Sequence, residues 1–333
     1  MKLRQYMNMQ PVSQVMLIAW ITYTMACPKI PTSNFLLLVL MGGQGTGKST
    51  LCRILQAIID PSRIGVQTLP TNGKDLAISL QHAHLRIFDN VRAISNVLAD
   101  FLCIACTGGY LTSRKLYTDA EEQAIYLHGP VIINSIHHII DQSDQAQRCL
   151  KIELDKMDEN ARKQEESFFD DFQADLPQIM RELFERIAAI FKHLPDATVV
   201  YPERMIEFVH WLAAMEMVDG APEGAYQAEY SRLLNEGQLD SLMENSLAAA
   251  MVELTEKLTN KHWVGTPAEL LKELEALTNL RTQRSREWPL NPIALSKRLR
   301  SLQAGLASQG IEVGFSRGKN RMISIRHQGD KDG

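Results

Sequence analysis

The stretch LLLVLMGGQGTGKSTLCRIL, residues 36–55, decides how the rest of this chain is read. The apolar run over residues 35–41 has the pattern of a parallel strand buried on both faces. It leads into G-x-x-x-x-G-K-S, met by Gly42, Gly47, Lys48 and Ser49. Glycines there let the backbone turn its N–H groups inward around phosphate oxygens. Lys48 is placed to reach the β- and γ-phosphates and the Ser49 hydroxyl to ligate Mg²⁺. Residues 50–59 read as a helix whose positive N-terminal end faces the phosphates. The loop Gly42, Gly43, Gln44, Gly45, Thr46, Gly47, Lys48, Ser49 and Thr50 is therefore the expected site for ATP and Mg²⁺.

Two further strands are expected downstream. Residues 85–90 form a short apolar run ending in Asp89, about forty residues after the phosphate loop, the distance at which a strand-terminal acid positions Mg²⁺. Residues 130–135 form another, ending in Asn134, a residue type that orients an attacking water by hydrogen bonds without becoming charged. A Gly-rich loop, an Asp and an Asn at three strand ends gather polar groups at the carboxyl edge of one sheet, where open α/β folds bind ligands. Arg148 then precedes a strand over residues 149–154. It is either a finger supplied to a neighbouring subunit's γ-phosphate or a surface Arg that caps a short helix.

Bulk properties narrow the setting. A chain of 333 residues has room for two or three domains. Its net charge of −4 excludes a uniformly basic coat for nucleic acid. Charge is unevenly placed, however: residues 281–326 hold ten Lys/Arg against two acids, while residues 155–175 are acidic. Residues 12–26 are apolar but too short to span a bilayer, and they read as a buried helix opened by Pro11 and closed before Pro28. Five cysteines, an odd number, suit a reducing cytoplasm. Cys103 and Cys106 lie among apolar neighbours and without a second metal half-site, so they are expected in a buried helix.

The phosphate loop, RIFDN (86–90), TGGYLTSRKLYTD (107–119) and GPVIINSI (129–136) together resemble the AAA+ motor of superfamily-3 helicases. The likeness is to ATP-binding proteins of phages and mobile elements related to the C-terminal half of phage DNA primase–helicases, and it covers most of the chain. It implies a ring-forming ATPase, a hexamer, that grips DNA in a central channel. Lys48 and Ser49 then carry phosphate and Mg²⁺, Asp89 is the Walker B acid, Asn134 is sensor 1 and Arg148 the finger. Two features depart from the pattern. Asn90 stands where an acid usually acts as general base, and an amide accepts no proton at neutral pH. Either another carboxylate substitutes, with Asp119, Glu121 and Glu122 nearest in sequence, or hydrolysis is slow. The chain also begins some forty residues before the phosphate loop, so a primase is expected only as a separate partner.

Residues 108–117 read as a hairpin with residues 112–114 near its tip. Arg114 and Lys115 there suit phosphate contacts, and Tyr110 or Tyr117 suits stacking on bases. Residues 160–259 read as helices broken at Pro202 and Pro222. Thr266-Pro267-Ala268-Glu269 opens a unit with a capping box, and Asn291-Pro292 starts a helix with Leu295, Leu299, Leu302 and Leu306 on one face. Two strands, 311–315 and 322–325, follow. Helix, helix and hairpin describe a winged helix, either docking protein or gripping DNA through Lys297, Arg298, Arg300, Arg317, Lys319 and Arg321.

The fold class expected is thus an α/β P-loop ATPase core of the AAA+ kind, a helical region and a C-terminal winged helix. The expected domains are an N-terminal helix (1–30), the core (31–158), a helical lid or linker (159–262), the winged helix (263–327) and a tail (328–333). The functional expectation is a cytoplasmic ATP-driven DNA motor or replication factor with no membrane contact. Single-stranded DNA would run in its channel and duplex would sit at the winged helix. The rivals are an ATP-binding assembly switch with little hydrolysis and a small-molecule P-loop kinase.

Overall fold

The computed structural model describes residues 1–114, 122–137, 139, 143–157, 164–258, 261–285, 288–316 and 321–327. The chain is a mixed α/β protein that divides into two compact units, one of residues 1–140 and 147–234, the other of residues 141–146 and 235–333.

The first unit opens with a 3-10 turn, Lys2–Tyr6, and helix α1, Pro11–Ala26. Pro11 sits at the first helical position, where its missing N–H leaves no bond unmade. Residues from Met16 to Thr24 are all buried, so α1 is enclosed on every side and packs against later helices of this unit. Its polar groups are satisfied: Trp20 Nε1 donates to Leu36 O at 3.0 Å, and Thr22 Oγ1 accepts from Trp211 Nε1 at 3.1 Å.

Then come β1 (Leu37–Met41), α2 (Lys48–Ile59), α3 (Gly73–Gln81), β2 (Arg86–Phe88), α4 (Asn96–Thr107), β3 (Gly109–Arg114), β4 (Glu122–Leu127) and β5 (Val131–Asn134). After α5 (Ser143–Ala146), β6 (Cys149–Glu153) completes a four-stranded parallel sheet of order β2-β5-β1-β6. Its strands are almost wholly buried, as strands covered on both faces must be. Cys103 and Cys106 are buried in α4, as the sequence implied.

The hairpin β3–β4 pairs Thr112 with Ala124 and Arg114 with Glu122, so residues 112–114 belong to a strand rather than to the tip. The connection, residues 115–121, lies outside the described residues and takes Lys115, Tyr117, Asp119 and Glu121 with it.

Three helices follow, α6 (Glu165–His193), α7 (Ile206–Asp219) and α8 (Ala225–Glu244), and the second unit takes α8 from residue 235 together with α9 (Ser246–Lys257). Pro202 and Pro222 fall between helices, as read, whereas Pro177 lies inside α6. The turn from α7 to α8 is organised by one buried carboxylate. Glu216 accepts from the backbone N–H groups of Gly224 (2.8 Å), Tyr226 (2.7 Å) and Gln227 (3.0 Å), and from Gln227 Nε2. An anion at the start of α8 is favoured by the unpaired N–H groups there. Glu216→Ala leaves these donors buried without an acceptor, and the expected loss is about 3 kcal/mol of stability. A urea titration comparing midpoints checks it.

In the second unit, β7 (His262–Gly265), α10 (Pro267–Leu277), α11 (Leu280–Gln283), α12 (Pro292–Ser308), β8 (Ile311–Phe315) and β9 (Ile323–His327) follow. The strands form an antiparallel sheet of order β7-β9-β8. Thr266 and Glu269 form the expected capping box on α10, and Asn291 accepts from the Ala294 N–H to start α12. Leu295, Leu299 and Leu306 enter the core with Trp288, Ile311 and Ile325, and Leu302 packs at its margin. Neither β7 nor α11 was expected from sequence.

Among the described residues, no helix is long and apolar enough to cross a membrane. No group of three or more His, Cys, Asp or Glu among them could hold a metal ion.

Candidate functional site

The parallel sheet brings three strand ends to one edge. The loop after β1 starts with Gly42 at φ +143°, a conformation L side chains rarely adopt. A Cβ on Gly42 would lie 3.0 Å from both Leu154 O and Thr46 Oγ1, so a side chain there would be tight as well as strained. Gly47, in the left-handed region at φ +89°, sets the first turn of α2 directly behind the loop. The sequence thus folds into a glycine-shaped cradle at a helix N-terminus, an arrangement suited to anions. These residues fit a triphosphate.

Lys48 is buried and curls back over the loop. Its Nζ donates to Gly42 O at 2.7 Å and to Gly43 O at 2.8 Å, with Thr46 Oγ1 at 3.5 Å. Burial pushes its ammonium below the ordinary lysine value, against the opposing pull of the Asp89 carboxylate.

Asp89 follows β2, and its backbone N–H donates to Gln67 O at 2.9 Å. Its side chain accepts from Ser49 Oγ at 2.9 Å and from Asn134 Nδ2. Asn134 Nδ2 also lies 3.5 Å from Ser49 Oγ. The turn after Asp89 is tied to the end of β5 by Val91 N–H donating to Asn134 O and by Ser135 Oγ donating to Val91 O. Lys48, Ser49, Asp89 and Asn134, spread over 87 positions of sequence, are therefore one polar group at the carboxyl edge. A hydroxyl beside a carboxylate is a donor set that suits Mg²⁺ bound together with phosphate.

Asn90 is exposed, with φ +55°, and its N–H donates to Asp89 Oδ1 at 2.7 Å. Asparagine tolerates this left-handed backbone better than most residues. The position supplies no carboxylate. Asp119 and Glu121 lie outside the described residues, as does the side chain of Glu122.

Arg148 is not part of this group. It precedes β6 at the amino-terminal edge of the sheet, where its carbonyl accepts from Leu37 N–H. Its Nη1 donates to Cys103 O at 3.2 Å and Thr107 Oγ1 at 3.1 Å, capping the last turn of α4.

Asn8 was missed from the sequence. Its Nδ2 donates to Thr46 O at 3.2 Å and Asp155 O at 2.6 Å, fastening the N-terminal segment to the phosphate loop. A lone Asn 34 positions before the motif carries no signal of this.

The expected DNA-contacting residues fall elsewhere. Arg114 ends β3, and its side chain is outside the described residues. On α12, Lys297 and Arg300 are exposed away from the leucine face, and Arg298 is half-buried at its flank. The Arg300 guanidinium lies 4.8 Å from the Phe315 ring centre. Arg321 is exposed before β9, while Arg317 and Lys319 are outside the described residues.

A model of the family described as "Actinomycete integrative conjugative element replication protein" matches residues 1–236, which hold the whole polar group. The chain belongs to that family. A second model, of the family's RepA C-terminal domain, matches residues 247–332. The mobile-element and replication setting agrees with the resemblance drawn from the motifs.

No curated protein matches the chain. Among solved structures, the A-form apo structure of the NrS-1 C-terminal region is 14% identical at a TM-score of 0.35, covering 95% of this chain and 72% of that one. An apo structure of the same region matches at 14% identity and a TM-score of 0.35, covering 97% and 76%.

Proposed function

We propose that this replication protein is an ATPase of the AAA+, superfamily-3 kind that drives DNA transactions as a ring oligomer. The observation that carries the reading is the polar group of Lys48, Ser49, Asp89 and Asn134 at the carboxyl edge of the sheet. With the glycine cradle it offers a cation for the β- and γ-phosphates, a hydroxyl and carboxylate to hold Mg²⁺, and an amide to orient water. Bound Mg²⁺ would supply charge neutralisation at the phosphates. In the same reading residues 31–158 are the motor core and residues 159–262 a lid or linker. The second unit carries a winged helix in which α12 and the β8–β9 turn bind duplex, while the β3–β4 hairpin contacts a single strand.

ATP turnover, measured with and without single-stranded DNA, tests this. The expected result is basal turnover that rises several-fold with DNA; a protein that neither binds nor turns over ATP overturns it. Asn90 supports a second reading, an ATP-binding assembly switch with little hydrolysis. Tight ATP binding, nucleotide-dependent oligomers and no DNA-stimulated turnover would favour it.

Arg148 separates the two roles considered for it. As a trans finger, Arg148→Ala spares ATP affinity and lowers turnover by about 10³-fold. Mixing it with a Lys48 variant then restores part of the activity, because intact composite sites form between subunits. As a cap on α4 alone, Arg148→Ala lowers the melting temperature, and no mixture recovers activity.

A further inference from the structure

The outer face of α6 holds two large rings out in water. In its second half Arg181, Phe184, Glu185, Ala188, Phe191 and Lys192 are exposed, while Ile179, Leu183 and Ile190 are buried. Phe184 is 56% exposed and Phe191 50%, and they stand seven positions apart, the repeat of a helix–helix seam. At about 100° per residue, Phe184, Ala188 and Phe191 fall within about 60° of one another and form one stripe. Phe191 is fixed from below, its ring edge-on to that of buried Trp211 at 5.4 Å. Such a stripe suits cover by another helix.

The charges beside the stripe identify that helix. On the same winding, Arg181, Glu185 and Lys192 lie about 20–60° from Ala188, all on one flank. Asp196, exposed in the 3-10 turn Leu194–Asp196 that follows α6, extends this flank. The order is positive, negative, positive, negative, with spacings of 4, 7 and 4 residues that read alike from either end. A second α6 laid antiparallel, centred between Ala188 and Ala189, sets Arg181 opposite Asp196 and Glu185 opposite Lys192 of the other copy, twice over. A parallel copy would set like charges opposite each other, which is unfavourable. Arg181 and Glu185 also pair within one helix at 3.4 Å, an exposed contact that leaves both open to a partner. The other charges nearby are engaged within the chain: Arg186 pairs with Asp219 at 2.8 Å, and Glu182 accepts from the Lys2 N–H at 2.6 Å.

We infer that two copies of this chain pair through α6, antiparallel about a two-fold axis beside Ala188, with Phe184, Ala188 and Phe191 as the apolar seam. The small side chain of Ala188 at the centre lets the two helices approach closely. A contact of this kind is self-complementary and closes at two copies, so it is separate from any ring and needs no nucleotide. Four half-exposed rings remove on the order of 400 Å² of aromatic surface from water, which belongs to the small, transient class of interface. The charge pairs set orientation and register more than strength.

Sedimentation equilibrium of the full chain without nucleotide, over about 1 to 100 µM, tests the pairing. Wild type should show a reversible monomer–dimer equilibrium. Phe184→Asp, at an exposed position, should weaken it by about tenfold or more while the melting temperature stays near that of wild type. Glu185→Lys sets two lysines opposite each other and should weaken it by about threefold or more. Adding Lys192→Glu to that variant restores opposite charges across the axis, and the affinity should return to the wild-type value. Lys48→Ala, which alters only the phosphate loop, should dimerise like wild type.

Four outcomes overturn the inference: a wild type that stays monomeric at every concentration, a dimer unmoved by Phe184→Asp, a double charge reversal no tighter than Glu185→Lys alone, or a dimer lost in Lys48→Ala. Loss of ATP binding in wild type would leave the pairing in place, so the two readings fail separately.

Discussion

Lys48→Ala should abolish tight binding of ATP·Mg²⁺ while leaving the chain folded. In the structure the Lys48 ammonium already spends its hydrogen bonds on Gly42 O and Gly43 O, both in the loop that would surround phosphate. With nucleotide present the same donors turn to phosphate oxygens, where charge on both partners makes each bond worth about 1.5–3 kcal/mol. Loss of two such bonds weakens binding by about 10²- to 10⁴-fold. The folded state loses little. The carbonyls of Gly42 and Gly43 belong to partly or fully exposed residues that water can serve, and a buried ammonium pushed below its ordinary pKa is itself a cost of folding. Calorimetric titration with ATP, beside a thermal melt, checks both halves. Unchanged ATP affinity in Lys48→Ala would refute the site.

How far this site could be read in advance follows from what each residue's role depends on. The loop and its Lys and Ser are contiguous, and their geometry is local: glycine conformations, a helix start and a strand end all lie within residues 36–59. Asp89 and Asn134 were found because a buried parallel strand leaves a short apolar run, and only its last residue reaches the carboxyl edge.

Strand lengths were less legible. The apolar run starts at Phe35, yet β1 starts at Leu37, because Phe35 N–H donates to Cys106 O rather than to a neighbouring strand. Burial makes both residues apolar, and composition alone does not distinguish burial in a ladder from burial beside one. β7 was missed for a related reason. It has four residues, alternating exposed and buried, and one such alternation is too short to stand out.

The contacts hardest to foresee join distant segments through single side chains. Asn8 reaches Thr46 and Asp155, and Glu216 organises the start of α8, although neither belongs to a pattern. Arg148 shows the converse. Its place before a strand was read correctly, but its guanidinium is turned to the end of α4, a partner set by packing and not by spacing.

Neutralising the basic residues of the second unit should produce the largest change in duplex affinity. Lys297 and Arg300 are exposed on α12 opposite its buried leucines, and Arg321 is exposed just before the last strand. Cations that meet phosphates release counterions, so removing one such cation flattens the dependence of log affinity on log salt by about one unit. Replacing Lys297, Arg298, Arg300 and Arg321 together by Gln should reduce the slope by about three to four units. Duplex affinity at low salt should fall on the order of 10³-fold. Glutamine is preferred to alanine because the Arg300 guanidinium lies over Phe315, and a longer side chain keeps more of the packing there, so that stability is not confused with binding. Basal ATPase should survive, since these residues and the polar group at the sheet edge lie in separate compact units. Hairpin variants at Arg114 and Lys115 should behave in the opposite way, losing DNA-stimulated turnover while duplex binding persists. A salt titration of duplex binding beside an ATPase assay on both sets separates the surfaces. If the four-Gln variant keeps its duplex affinity and salt slope, the second unit docks protein instead of DNA, and the hairpin remains as the proposed DNA contact.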